Sequence, residues 1–178
     1  MRRNLIAGIG DVMQLAFVPG DVDAALKYWT ETMGAGPFVA LDHVQMDAAT
    51  YKGAPAAIDF SVYIGYWGDL QIEIIEQHDD APSIYKAWRD EGREGLHHVC
   101  LVTHDMAEAR RIIQDAGGTV VQEAFLPGGV EALYAETGGG PGTMVEVLQP
   151  NQAILDAFAH IKSLSVNWDG TDPVRRLG

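Results

Sequence analysis

Two pentapeptides, Gln14-Leu15-Ala16-Phe17-Val18 and His98-Val99-Cys100-Leu101-Val102, decide how this chain folds, because each opens a stretch that the other repeats. They lie 84 positions apart (98 − 14), and the register then holds without a gap: Asp21 falls on Asp105, Ala25 on Ala109, Trp29 on Ile113 and Gly34 on Gly118. A strand, a turn, a helix and its stop thus recur in the same order, which marks a duplicated unit.

Each copy reads alike in physical terms. The first strand, about Val12 to Val18, is followed by Asp21 as an N-cap and by Val22, Ala25, Leu26, Trp29 and Met33 at helical spacing, with Gly34 ending the helix. In the second copy Asp105 and Glu108 have the spacing of a capping box. Met106, Ala109, Ile113 and Ala116 form its buried stripe, and Gly117-Gly118 stops it. Three strands follow each helix: about Phe38 to Val44, Ile58 to Tyr66 and Leu70 to Gln77, then Thr119 to Phe125, Val130 to Glu136 and Thr143 to Leu148. The expected fold class is therefore α+β, with two tandem βαβββ modules at 11–77 and 96–149. A helical linker (78–95, with a helix over Ser83 to Asp90) joins them. A final segment (150–178) holds a helix over about Gln152 to Ser163 and a polar tail without periodicity.

Composition narrows the function. Hydrophobic residues make up 47% of the 178, enough for a sizeable core, and no apolar run approaches the roughly 20 residues that span a bilayer. The start, Met1-Arg2-Arg3-Asn4-Leu5-Ile6, opens like a signal peptide, but Gly8, Gly10 and Asp11 interrupt it at once. A net charge of −13 repels a phosphate backbone, so nucleic acid is not an expected partner, and without a long apolar run neither is a membrane. The single cysteine, Cys100, lies in an apolar run and reads as a small core residue. A cytoplasmic protein is expected.

Polar residues inside apolar strands need an account, because burying an unpaired charge is costly. Glu73 stands between Ile72 and Ile74, and Glu146 between Val145 and Val147. Gln14 and His98 occupy the same position in the two first strands, as Glu73 and Glu146 do in the two last. If the copies face each other, one imidazole, two carboxylates and one amide oxygen converge, a donor set suited to one divalent ion: Zn, Co, Ni, Mn or Fe. His97 competes with His98, but alternation puts it on the opposite face.

The pattern resembles the vicinal oxygen chelate superfamily, which includes glyoxalase I, methylmalonyl-CoA epimerase, extradiol dioxygenases and antibiotic-resistance proteins. The resemblance rests on Asp21-Val22-Asp23-Ala24-Ala25 through Gly34-Ala35-Gly36-Pro37, on Gly95-Leu96-His97-His98-Val99, and on Val145-Glu146-Val147-Leu148-Gln149-Pro150; it spans roughly residues 11 to 150. It implies curved mixed sheets enclosing an open, barrel-like cleft, with Gln14, Glu73, His98 and Glu146 at the metal-ligand positions. It implies further a metal that stabilises an enolate, and hence an isomerase, epimerase or lyase removing a proton α to a carbonyl. Glu146 and Glu73 are the catalytic candidates, Glu146 favoured by the way its strand continues. Gln14, where many members have histidine, weakens the ring-cleaving dioxygenase reading; a non-catalytic ligand- or drug-binding protein is the other alternative.

Residues 42–53 hold no convincing Glu where the epimerase carries a further base, and Asp42, His43 and Asp47 are its substitutes. Phe38, Tyr51, Phe60, Tyr63, Trp67, Phe125 and Tyr134 are candidates to shape the pocket. The expected partners are a small-molecule substrate, an acyl-CoA or other anionic carbonyl compound, and a second copy of the chain. Lys86, Arg89 and Arg93 are candidates for a CoA phosphate.

Overall fold

The computed structural model describes residues 5–176; the basic first four residues and residues 177–178 lie outside them. In chain order the elements are β1 (Val12–Val18), α1 (Val22–Lys27, prolonged by a π-helical turn Tyr28–Thr32), β2 (Phe38–Leu41), β3 (Ala48–Tyr51), β4 (Ala54–Pro55), β5 (Phe60–Trp67) and β6 (Leu70–Gln77). Then follow α2 (Ile84–Asp90), β7 (Gly95–Val102), α3 (Met106–Asp115), β8 (Thr119–Leu126), β9 (Val130–Glu136), β10 (Met144–Gln149), α4 (Gln152–Leu164) and β11 (Val174–Arg176).

All strands join one mixed, curved, unclosed sheet in the order β11-β2-β5-β6-β1-β7-β10-β9-β8-β3-β4. The duplication is visible in that order. β2-β5-β6-β1 is mirrored by β8-β9-β10-β7, each first strand running parallel to its own last strand, and β1 and β7 meet antiparallel at the centre. Leu15 pairs with Val99, Gln14 with Cys100 and Ala16 with His98, so a pseudo-dyad passes between Leu15 and Val99.

The caps form as the sequence predicts: Asp21 accepts from the Ala24 amide and Asp105 from the Glu108 amide, both at 2.9 Å. The Glu108 carboxylate turns instead to Arg111, so the box is half closed. Each repeat helix covers the outer face of its own half. Trp29 and Leu26 pack with Phe17, Ile72 and Ile74, whereas Ile113 and Ala109 pack with Leu101, Leu133 and Val147. The inner face carries the largest cluster, from Ala16, Ile64 and Cys100 to Tyr85, Trp88 and Tyr134, with Ile154 and Phe158 of α4 packed against it.

Three features depart from the expected units. The first half contains an extra hairpin, β3-β4, which leaves its own half and pairs with β8 of the other. The polar tail contributes β11, parallel to β2. The third concerns His97. The pairing of β1 with β7 slips between Ala16 and Phe17 and again between Val12 and Gln14, leaving His97 and Met13 as the extra residues of two β-bulges. These bulges occupy repeat-equivalent positions. A bulge suspends the two-residue alternation, so His97 does not lie opposite His98 as expected but is buried beside it.

Candidate metal centre

The sheet geometry explains why four distant residues share one face. On the inner face, register aligns Gln71, Gln14, Cys100 and Glu146 in one row across β6, β1, β7 and β10. The next row holds Glu73, Ala16, His98 and Met144. Ala16 and Cys100, another repeat-equivalent pair, are the small side chains beside Gln14 and His98, leaving room for the longer ones to lean together. His98 Nε2 lies 3.1 Å from Glu146 Oε2 and 3.9 Å from Glu73 Oε2. The ligand atoms of these three residues all lie within 4.8 Å of one another. Gln14, Glu73 and Glu146 line an interior cavity of about 130 Å³. Its other walls include Leu41, Val44, Phe60, Ile64, Tyr85 and Tyr134.

Two hydrogen-bond chains fix the donors. Gln14 gives its amide N–H to Gln71 Oε1 at 2.6 Å, and Gln71 gives its own to the Tyr66 hydroxyl at 2.8 Å. That leaves the buried Gln14 Oε1 without a hydrogen-bond partner among the described residues. On the other side His97 Nε2 meets the Ile84 carbonyl, and the two Nδ1 atoms of His97 and His98 lie 2.9 Å apart. Burial and the neighbouring His98 push the His97 pKa down to about 3, so His97 is neutral. The Ile84 oxygen can only accept, so the single His97 proton sits on Nε2. His97 Nδ1 must then accept from His98 Nδ1–H, which leaves His98 Nε2 as the ring nitrogen that faces the two carboxylates.

Such an arrangement asks for a cation. Two carboxylates and an imidazole cluster beside a cavity that Gln14 also lines, and no Lys or Arg among the described residues lines it. Burial first, and the Glu146 charge second, hold the Glu73 carboxyl well above the usual carboxylate range. The residues therefore fit a divalent ion bound by nitrogen and oxygen. Burial also pushes up the Tyr85 and Tyr134 hydroxyls and the Cys100 thiol, so all three stay neutral.

The substitutes for a further base point elsewhere. Asp42 pairs with Arg176 at 2.7 Å, His43 with Asp59 at 2.6 Å, and Asp47 lines a separate cavity. Among the pocket candidates Phe60 and Tyr134 line the central cavity. Phe38 is buried under α1, Tyr63 donates to Glu76, and Trp67 is half exposed against Trp29. Lys86 pairs with Asp90, Arg89 reaches the Gln77 carbonyl, and Arg93 joins Glu91 over the Trp88 ring. The sequence reading missed Gln71, although it shares a strand face with Glu73 two residues on, and that spacing was the available signal.

A family model described as the glyoxalase/bleomycin resistance protein/dioxygenase superfamily matches residues 13–135. This chain belongs to that superfamily. Solved structures share the fold at low identity. A hypothetical protein from Bacillus halodurans C-125 superposes with a TM-score of 0.58 at 11% identity, over 80% of this chain and 95% of that one. Methylmalonyl-CoA epimerase from Mycobacterium tuberculosis gives 0.55 at 12%, over 82% and 91%. A Streptomyces coelicolor methylmalonyl-CoA epimerase variant in complex with 2-nitronate-propionyl-CoA gives 0.52 at 15%, over 81% and 96%. No curated protein matches the sequence at a significant level. Among the described residues of this superfamily member, no helix is long and apolar enough to cross a membrane.

Proposed function

We propose that this member of the superfamily moves a proton next to a carbonyl, as a divalent-metal-dependent isomerase, epimerase or lyase. The observation that carries the reading is the cluster of Glu73, His98 and Glu146 ligand atoms within 4.8 Å of one another, beside a largely apolar cavity that Gln14, Glu73 and Glu146 line. A divalent ion held by these four would supply Lewis acidity toward a substrate carbonyl, easing removal of the adjacent proton.

The remaining work falls to the chain. Glu146 Oε2 lies 3.1 Å from His98 Nε2, whereas Glu73 is 3.9 Å from it and no residue among those described hydrogen-bonds to Glu73. That freedom favours Glu73 as the base over the Glu146 suggested by strand continuity, with Glu146 held as a ligand. The neutral Tyr134 hydroxyl, which accepts from the Tyr85 hydroxyl at 3.4 Å, keeps its own proton to donate to a substrate oxygen. Leu41, Val44, Phe60, Val62 and Leu148 exclude water around the reacting atoms. A single imidazole in the cluster speaks for redox-neutral chemistry rather than ring cleavage.

The cavity is small, about 130 Å³, and partly open to the surface. Only a small acyl or ketone moiety fits inside. The epimerases of the same fold, one solved with an acyl-CoA analogue, support a short acyl-CoA as the substrate class, its nucleotide lying outside the cavity. The test is elemental analysis, followed by incubation of the metal-loaded protein in D₂O with methylmalonyl-CoA, related thioesters and hydroxyketones. Deuterium should enter the α-position without oxygen or nucleotide. Tight binding of these compounds with no exchange would move the protein to the ligand-binding alternative, and oxygen uptake with catechols to the dioxygenases. We also propose a homodimer, because the sheet ends on open edges at β4 and β11; light scattering should give twice the chain mass.

A further inference from the structure

A second group of metal-type side chains lies outside the central cavity. The mouth of the β5-β6 hairpin pairs Phe60 with Gln77, which sets Asp59 and His78 side by side, joined by a 2.8 Å bond from the His78 amide to the Asp59 carbonyl. The segment after β2 crosses this mouth, its Val44 amide bonded to the Phe60 carbonyl at 2.8 Å. His43 is thereby brought over the pair. Its Nδ1 lies 2.6 Å from Asp59 Oδ1, and its ring centre 5.0 Å from that of His78. One ligand atom from each of the three residues lies within 4.8 Å of the other two, and all three side chains reach solvent.

The cluster is anchored rather than incidental. The buried Ser61 hydroxyl accepts the His43 amide at 3.1 Å and contacts His78 Nε2 at 2.7 Å. His43 itself holds a left-handed backbone, φ 51°, which few non-glycine residues adopt. Asp79 accepts from the Asp59 amide at 3.0 Å, adding negative charge beside the group.

We propose that His43, Asp59 and His78 form a second, surface site for a divalent cation of the zinc type. Two imidazoles and one carboxylate are a donor set that Zn, Co, Ni and Cu accept. Ligand atoms of a tetrahedral zinc site sit roughly 3.3 Å apart, from bonds of about 2.0–2.1 Å, so small side-chain rotations close the cluster. The ion would staple residues 42–47 to the hairpin mouth. That segment supplies Val44 and Met46 to the wall of the central cavity, and its Asp47 amide bonds to the Phe125 carbonyl of the other half. A cation at the surface thus steadies the wall of the inner cavity and the seam between the halves.

The test is a zinc titration of chelator-stripped full-length protein by calorimetry, with cobalt absorption as the spectroscopic readout. Wild type should take two equivalents, His98→Ala one, and a His43→Ala/His78→Ala double variant one. His160→Ala, which removes an exposed histidine elsewhere, should still take two. Zinc should also slow hydrogen exchange at the Val44 and Asp47 amides in His98→Ala but not in the double variant. A second equivalent that survives the double substitution, or a wild type that binds one equivalent and loses it with His98→Ala, overturns the surface site. One equivalent in both wild type and His98→Ala, with none in the double variant, would keep this site and discard the central one.

Discussion

The two halves share a strand order, a helix on the same face and a bulge in the same place, yet they bring different side chains to the proposed centre. The first half supplies Gln14 and Glu73, the second His98 and Glu146. Behind each first-strand donor stands the bulged residue: Met13 in the first half, a member of the apolar packing, and His97 in the second, hydrogen-bonded to His98. A common backbone thus brings the donors together, and the side chains at equivalent positions decide which half grips harder. An amide oxygen is a weaker donor than an imidazole, so the second half should dominate metal affinity.

The largest expected effect breaks that inequality directly. His98→Ala should remove nearly all metal from the central site by elemental analysis, whereas Gln14→Ala should retain a measurable share. Gln14→His, which makes the halves alike, should bind the ion more tightly than wild type. Equal losses from His98→Ala and Gln14→Ala would mean that the halves contribute alike.

The two carboxylates offer the next contrast. Glu73→Gln, loaded with metal, should lose α-proton exchange by roughly 10²–10⁴-fold, the range for a lost general base. Glu146→Gln should lose activity only in step with its metal. The reverse pattern would return the base to the second half.

A smaller effect separates His97 from Met13. His97→Phe should lower metal affinity about 10- to 100-fold, as loss of an outer hydrogen-bond partner does. His97→Asn should recover part of it by accepting from His98 Nδ1–H, and the ¹⁵N shifts of His98 should report the change of tautomer. Met13→Leu should leave affinity unchanged. The smallest effect is one of likeness: Asp21→Ala and Asp105→Ala each remove one N-cap, and each should cost about 1 kcal/mol in urea unfolding.

Much of this comparison is legible in the chain before folding. Asp21 and Asp105, the periodic apolar residues after them, and the glycine stops fix the repeat helices, because capping and helical spacing are local properties. Gly34 and Gly117, at φ 68° and 83°, end these helices in a backbone that glycine adopts without strain. The four polar positions stand out for a different reason, since duplication makes two unusual polar residues in each half vouch for each other. The hairpin β3-β4 is not. Ala48–Tyr51 and Ala54–Pro55 are short, without strong alternation, and are strands only because β8 offers an open edge. Nor is β11, three residues in a polar tail that β2 recruits.

The sequence by itself thus determined the duplicated unit, its helices and long strands, and the four polar residues that an apolar strand does not tolerate without a partner. Tertiary structure alone decided what those residues touch. The antiparallel register of β1 on β7 put Gln14 and His98 diagonally on one face, with Ala16 and Cys100 as the gaps between them. The bulge at His97 then turned a residue expected on the far face into a hydrogen-bond partner of His98. Register and bulges depend on which strands meet and how they slide, and that is set by packing across the whole sheet, to which no local stretch of the chain has access.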